Sequence, residues 1–212
     1  MSIPKAKEPW LHEGETLVCF GDSLTAADDG YIAFLRQTLE PRGIRVVNAG
    51  VPGDKTPAAL TRLKDDVIAA KPDAVSIFFG NNDALIGRGI WRDEPGISPI
   101  AFEDNLKWII HLCRLLGKIE KFSINTVAPR LEGAQFLDFG DVNRAYCRAA
   151  RNAADAMNAL LVPLDSAFTV LREENRSRMS PEGLLYTRDG LHMNQEGCRI
   201  VAEFMLREWR ML

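Results

Sequence analysis

The 212-residue chain holds only three histidines and four cysteines, and none of its apolar runs reaches the roughly 20 residues that a membrane-spanning helix requires. The cysteines, Cys19, Cys113, Cys147 and Cys198, are scattered without Cys-x-x-Cys or metal-ligand spacing, so neither a zinc module nor a disulfide scaffold is expected. Buried free thiols are expected instead. Charge of one sign is also missing: 26 Lys and Arg stand against 29 Asp and Glu, a net charge of -3. That balance supplies no electrostatic pull toward nucleic acid or an anionic membrane surface. Residues 1–14 lack the continuous apolar segment of a secretory signal, and the expectation is a soluble, cytoplasmic protein without stable membrane insertion. No repeat, low-complexity tract or linker divides the chain, so residues 1–212 read as one domain with 1–14 as an N-terminal extension.

What is present is alternation. Short apolar runs at 16–20, 44–47, 74–79, 122–127 and 160–164 have the length and bounding turn residues of buried strands. Segments 31–39, 57–70, 99–116 and 141–157 carry apolar residues at helical spacing, with Ser98 and Pro99 as an N-cap and first-turn pair. A last helix begins near Gln195, with Asn194 able to cap it and Ile200, Val201, Phe204 and Met205 forming its apolar face. Parallel neighbours need crossover connections, and strands alternating with helices supply them. The expected fold is α/β, a three-layer α/β/α sandwich on a flavodoxin-like, parallel, five-stranded sheet. Such sheets bind ligands beyond the carboxyl ends of their strands, which directs the search to the loops there.

Those loops are unusually polar. After the first strand comes Gly21-Asp22-Ser23-Leu24-Thr25; after the second, Asn48-Ala49-Gly50-Val51-Pro52-Gly53-Asp54; after the third, Gly80-Asn81-Asn82-Asp83. Each alone serves equally well as a turn satisfied by its own side chains. Directly before the last helix stands Asp189-Gly190-Leu191-His192, where the carboxylate can meet the imidazole Nδ1–H and leave Nε2 free to accept a proton. His12 lies in the N-terminal extension and His111 inside a helical apolar pattern, so His192 is the candidate base.

These four blocks, GDSLT, Asn-x-Gly-x-x-Gly, GNND and DGLH, occur in the order in which they occur in the SGNH hydrolases, also called GDSL lipases and esterases, and the chain resembles that family over most of its length. The resemblance implies a carboxylic ester hydrolase in which Ser23 attacks, His192 takes its proton and Asp189 orients His192. It also implies an oxyanion hole from the amides of Ser23 and Gly50 and the side chain of Asn82. A serine needs a base to become a nucleophile at neutral pH, and the tetrahedral intermediate needs preorganised donors, so the chemistry asks for the same groups. There is no GxSxG elbow of the α/β-hydrolase kind. The segment after GDSLT runs Ala26-Ala27-Asp28-Asp29, where many relatives carry a nearby glycine, and the pocket is expected to differ there.

The implied partner is a small-molecule ester, and short acyl esters, O-acetylated carbohydrates, lysophospholipids and thioesters all suit the chemistry. No cofactor and no metal are expected, because the candidate ligands do not cluster and the mechanism requires none. Nothing in the sequence sets an oligomeric state. A flavodoxin-like binding module is the alternative from another class, but acidic residues after GDSLT would repel a phosphate and DGLH would have no task. A phosphoacceptor role for Asp83 lacks the accompanying acidic pair and lysine. Asp165, after the fifth strand, is the competing orienting acid. The 84–97 loop, with Leu85, Ile86, Ile90, Trp91 and Pro95, is a candidate acyl-pocket wall, and Arg130 a candidate substrate contact.

Overall fold

A computed structural model describes residues 6–84, 93, 95–127, 132–133 and 143–212. Five strands, β1 (Thr16–Gly21), β2 (Arg45–Gly50), β3 (Ala74–Phe78), β4 (Lys121–Asn125) and β5 (Leu160–Val162), form one sheet in the order β2-β1-β3-β4-β5. Every pairing is parallel, with Gly21 opposite both Gly50 and Phe78 at the carboxyl edge. This order reverses direction between β1 and β3, the position at which doubly wound sheets open a crevice.

The near-continuous apolar strands follow from burial on two faces. Along β1, Leu17 and Cys19 pack into one core, while Val18 and Phe20 pack into the other. On the first side lie α2 (Tyr31–Leu39), α6 (Leu164–Glu174) and α7 (Gln195–Glu208); on the second lie α3 (Thr56–Asp66), α4 (Pro99–Gly117) and α5 (Asn143–Ala156). The helix starts behave as their sequences dictate: Ser98 Oγ accepts from Ala101 N at 3.2 Å, and Asn194 Oδ1 from Gly197 N at 2.9 Å. The four cysteines are free and buried, and burial pushes the thiols of Cys19, Cys113 and Cys147 up to about 12.

Several boundaries differ from the sequence-based expectation. β2 runs on to Gly50 because its register continues beside β1 up to the Gly21–Gly50 pair. β4 and β5 end earlier, and Leu164 opens α6 rather than closing a strand; its buried residues Leu164, Ala167 and Phe168 recur at helical spacing. Among the described residues, α6 and the four-residue α1 (Ser23–Ala26) are helices that the sequence pattern does not predict. The N-terminal extension is docked: Leu11 is buried, Trp10 N donates to Trp209 O at 3.0 Å, and the two indoles lie 5.1 Å apart. Leu85, Ile86, Ile90, Trp91 and Arg130 lie outside the described residues. No helix among the described residues is long and apolar enough to cross a membrane.

Candidate active site

The turn from β1 into α1 is built on a missing side chain. A Cβ on Gly21 would sit 2.0 Å from Thr25 Oγ1 and 2.7 Å from Phe78 O, so only glycine lets the chain reverse so close to β3. Asp22 then caps α1, its Oδ1 accepting from Leu24 N at 3.0 Å. Ser23 is thereby fixed at the first helical position, at the carboxyl edge of the sheet and partly exposed.

His192 arrives from the other end of the chain. Its Nε2 lies 3.2 Å from Ser23 Oγ, and its Nδ1 lies 2.8 Å from Asp189 Oδ2. The other carboxylate oxygen, Asp189 Oδ1, accepts from the amides of Leu191 at 2.9 Å and His192 at 2.7 Å. Partial burial raises the Asp189 carboxyl, but the bonds from the His192 ring and these two amides outweigh it and hold it below the ordinary aspartate value. Three predicted residues thus form one hydrogen-bonded chain, hydroxyl to imidazole to carboxylate, with the geometry needed to pass a proton from Ser23 to His192. Asp165 is not part of it. Its carboxylate accepts from Arg151 at 2.9 and 2.8 Å and from Thr126 Oγ1 at 2.8 Å.

The predicted donors divide. Asn82 is buried on the loop after β3, and its Nδ2 donates to Asp54 O at 2.9 Å and, at 3.3 Å, to Asp22 Oδ2. The amide of Gly50 is taken: it donates to Asn48 Oδ1 at 3.0 Å. An Asx-type bond from two residues earlier claims the N–H that the sequence reading assigned to substrate. Gly50 instead permits a close approach, since a Cβ there would lie 2.3 Å from Ala26 N. The other glycine of that segment, Gly53, has φ +77° and no acceptor for its N–H among the described residues. Because Asn82 touches the carbonyl of Asp54, the 53–54 stretch lies beside the Asn82 amide.

Two supports of this loop escaped the sequence reading. Arg62 of α3 donates to Asp54 Oδ2 at 2.7 Å, to Ala49 O at 2.9 Å, to Gly21 O at 3.0 Å and to Asp66 Oδ2 at 2.8 Å, while its guanidinium covers the Phe20 ring at 4.5 Å. One rigid fork therefore ties the ends of β1 and β2 to Asp54. Asp83 does the same from β3: its Oδ1 accepts from Thr56 N at 3.0 Å and Thr56 Oγ1 at 2.5 Å. Sequence signals existed only as a polar residue in a helical stretch and a turn aspartate, both commonplace.

Asp83 Oδ2 is buried and has no hydrogen-bond partner among the described residues. Burial raises this carboxyl above the usual aspartate value, against the bonds from the Thr56 hydroxyl and amide. An acid that holds its proton more tightly folded than unfolded favours folding below its unfolded pKa, and that contribution is lost as pH rises through the folded pKa. Asp83→Asn cannot ionise and should gain stability relative to wild type between about pH 4.5 and pH 7. Urea unfolding midpoints at the two pH values check this; an unchanged difference would contradict it.

A cavity of about 300 Å³ opens beside Ser23 and His192, bordered by Asp29, Arg188, Asn194 and Gln195. Among the described residues, no group of three or more His, Cys, Asp or Glu is arranged to hold a metal ion.

Known proteins resemble this chain in sequence and in fold. The model of the GDSL-like lipase/acylhydrolase family matches residues 19–200. The chain is 30% identical over 224 aligned residues to an acetylxylan esterase of Geobacillus stearothermophilus, an alignment covering 93% of this chain and 95% of that protein. A catalytic mutant of the Geobacillus stearothermophilus acetylxylan esterase, of known crystal structure, superposes with a TM-score of 0.77 at 27% identity over 94% of this chain and 96% of that one. The acetyl xylan esterase AlAXEase superposes with a TM-score of 0.75 at 27% identity, covering 91% of this chain and 98% of that one.

Proposed function

The chain belongs to the GDSL-like lipase/acylhydrolase family and is a carboxylic ester hydrolase, and from that premise we propose that it removes acetyl groups from O-acetylated carbohydrate through an acyl-enzyme on Ser23. The observation that carries the mechanism is the unbroken chain from Ser23 Oγ through His192 to Asp189. His192 Nε2 takes the Ser23 proton as Oγ attacks the ester carbonyl, then returns it to the departing alcohol; water repeats the sequence to release acetate. Asp189 holds the Nδ1–H tautomer and stabilises the imidazolium.

The oxyanion of each tetrahedral intermediate sits in a hole formed by the Ser23 amide, the Gly53 amide and Asn82 Nδ2. The Ser23 amide is free to donate because first-turn amides of a helix have no partner within it. Gly53 replaces Gly50 in this role, since the Gly50 N–H is committed to Asn48. Asn82 releases its longer bond, at 3.3 Å to Asp22, and keeps the one to Asp54 O that aims it.

The carbohydrate side of the proposal draws on the acetylxylan esterase relatives and on the cavity lining. Asp29, Arg188 and Gln195 offer hydrogen-bonding groups to a hydroxyl-rich leaving group, beside Leu24, Ala27 and Met193, which can pack against the carbon face of a sugar ring. Steady-state rates on acetylated xylooligosaccharides and on p-nitrophenyl esters of increasing acyl length test the reading. Acetate should be preferred over octanoate by about 100-fold or more in kcat/KM, with acetylated oligosaccharide hydrolysed as well. A preference rising with chain length, with no acetate released from the oligosaccharide, would overturn it in favour of a lipase or lysophospholipase.

A further inference from the structure

The loop carrying Asp189 and His192 has little regular structure of its own: an isolated bridge links Thr187 and Met193, Arg188 N donates to His192 O at 2.8 Å, and Asn194 ties the segment to the start of α7 by donating to Tyr186 O at 3.0 Å and Leu185 O at 2.9 Å. Something else must fix it to the sheet. Glu132, from the connection that follows β4, is only 3% exposed. Its carboxylate accepts from three successive amides: Leu185 N at 3.1 Å, Tyr186 N at 2.9 Å and Thr187 N at 2.8 Å. Thr187 Oγ1 donates to the same carboxylate at 2.6 Å and in turn accepts from Gly190 N at 3.0 Å.

We propose that Glu132 is a positioning residue for catalysis, clamping the 185–190 segment so that Asp189 and His192 meet Ser23 in register. The inference rests on the Ser23–His192–Asp189 reading of the site. Converging amides form an anion-binding concavity, here filled by a side chain of the chain itself. The relay is short: carboxylate to Thr187 hydroxyl, hydroxyl to the Gly190 amide, and Gly190 lies between the acid and the base. A buried polar network of this kind specifies one conformation only while every donor is satisfied. Loss of the carboxylate leaves the amides of Leu185, Tyr186 and Thr187 buried without acceptors, and the loop must shift to find others. Small displacements matter at the far end, because misplacing a catalytic group by about 1 Å can cost on the order of 100-fold in rate.

Glu132→Gln tests this without changing volume, since its NH2 group would face donors where the carboxylate accepts. Ile109→Ala, in the α4 core and away from the site, supplies a control that loses stability by a cavity alone. With both proteins folded at 25 °C, Glu132→Gln should lower kcat on p-nitrophenyl acetate by roughly 10- to 100-fold with KM within about threefold of wild type. Ile109→Ala should keep the wild-type kcat. Glu132→Asp, which restores a shorter carboxylate, should recover part of the loss and carries the test if the glutamine variant does not fold. Wild-type kcat in the folded Glu132 variant, or a loss matched by Ile109→Ala, would overturn the inference. Ser23→Ala in the same run separates the two claims: if it stays active, the reading of the site has failed rather than the role of Glu132.

Discussion

Asp189→Asn should lower kcat on p-nitrophenyl acetate by roughly 10⁴-fold with little change in KM, a loss of the size known for the equivalent change in serine-protease triads. The cause is a tautomer. Asparagine can keep accepting from the Leu191 and His192 amides through Oδ1, the positions Asp189 Oδ1 now occupies. Its Nδ2 then faces His192 Nδ1, which must become an acceptor, and the ring proton moves to Nε2. An Nε2–H cannot take the Ser23 proton. Asp165→Asn provides the contrast: it breaks a bidentate pair with Arg151 and so should cost stability, while kcat stays within about twofold. Steady-state kinetics of both variants beside their unfolding midpoints check the ranking, and a larger kcat loss in Asp165→Asn would reverse the assignment of the orienting acid.

Asn82→Ala should lower kcat by about 10²- to 10³-fold, corresponding to the 2.7–4 kcal/mol that one oxyanion-hole donor contributes. The substitution also strips Asp54 O of its donor, so a stability loss of about 1–3 kcal/mol accompanies it. The two effects separate by measurement. Activity assayed well below the unfolding midpoint reports transition-state stabilisation, and a donor acting only there lowers kcat and kcat/KM together. If the folded variant retains wild-type kcat, Asn82 serves only to brace the 53–54 stretch.

Periodicity made the sheet legible because each of its strands is a short apolar run bounded by turns, and Leu17, Val18, Cys19 and Phe20 split between two cores. Ser23, Asn82, Asp189 and His192 were legible because each lies in a polar block at a strand end or helix start, where an apolar pattern breaks off. α6 was not, since Leu164 and its neighbours extend the run of β5 and only the fold shows where the strand stops. The choice between Gly50 and Gly53 was hidden for a different reason. Which of two glycine amides is free depends on whether a side chain two residues earlier closes on it, and spacing does not report that. Glu132 and Arg62 were invisible because their partners are backbone groups of distant segments, which leave no residue pattern to read.

The central claim is that Ser23 carries the acyl group. Wild type and Ser23→Ala, each mixed with p-nitrophenyl acetate and quenched in acid within the first turnovers, should be compared by turnover rate and by mass spectrometry of the peptide containing residue 23. The account predicts an acetylated Ser23 peptide in wild type alone and a rate loss of roughly 10⁴-fold or more in the variant. Turnover in Ser23→Ala within about tenfold of wild type, with no serine-bound acetyl in either protein, would contradict it.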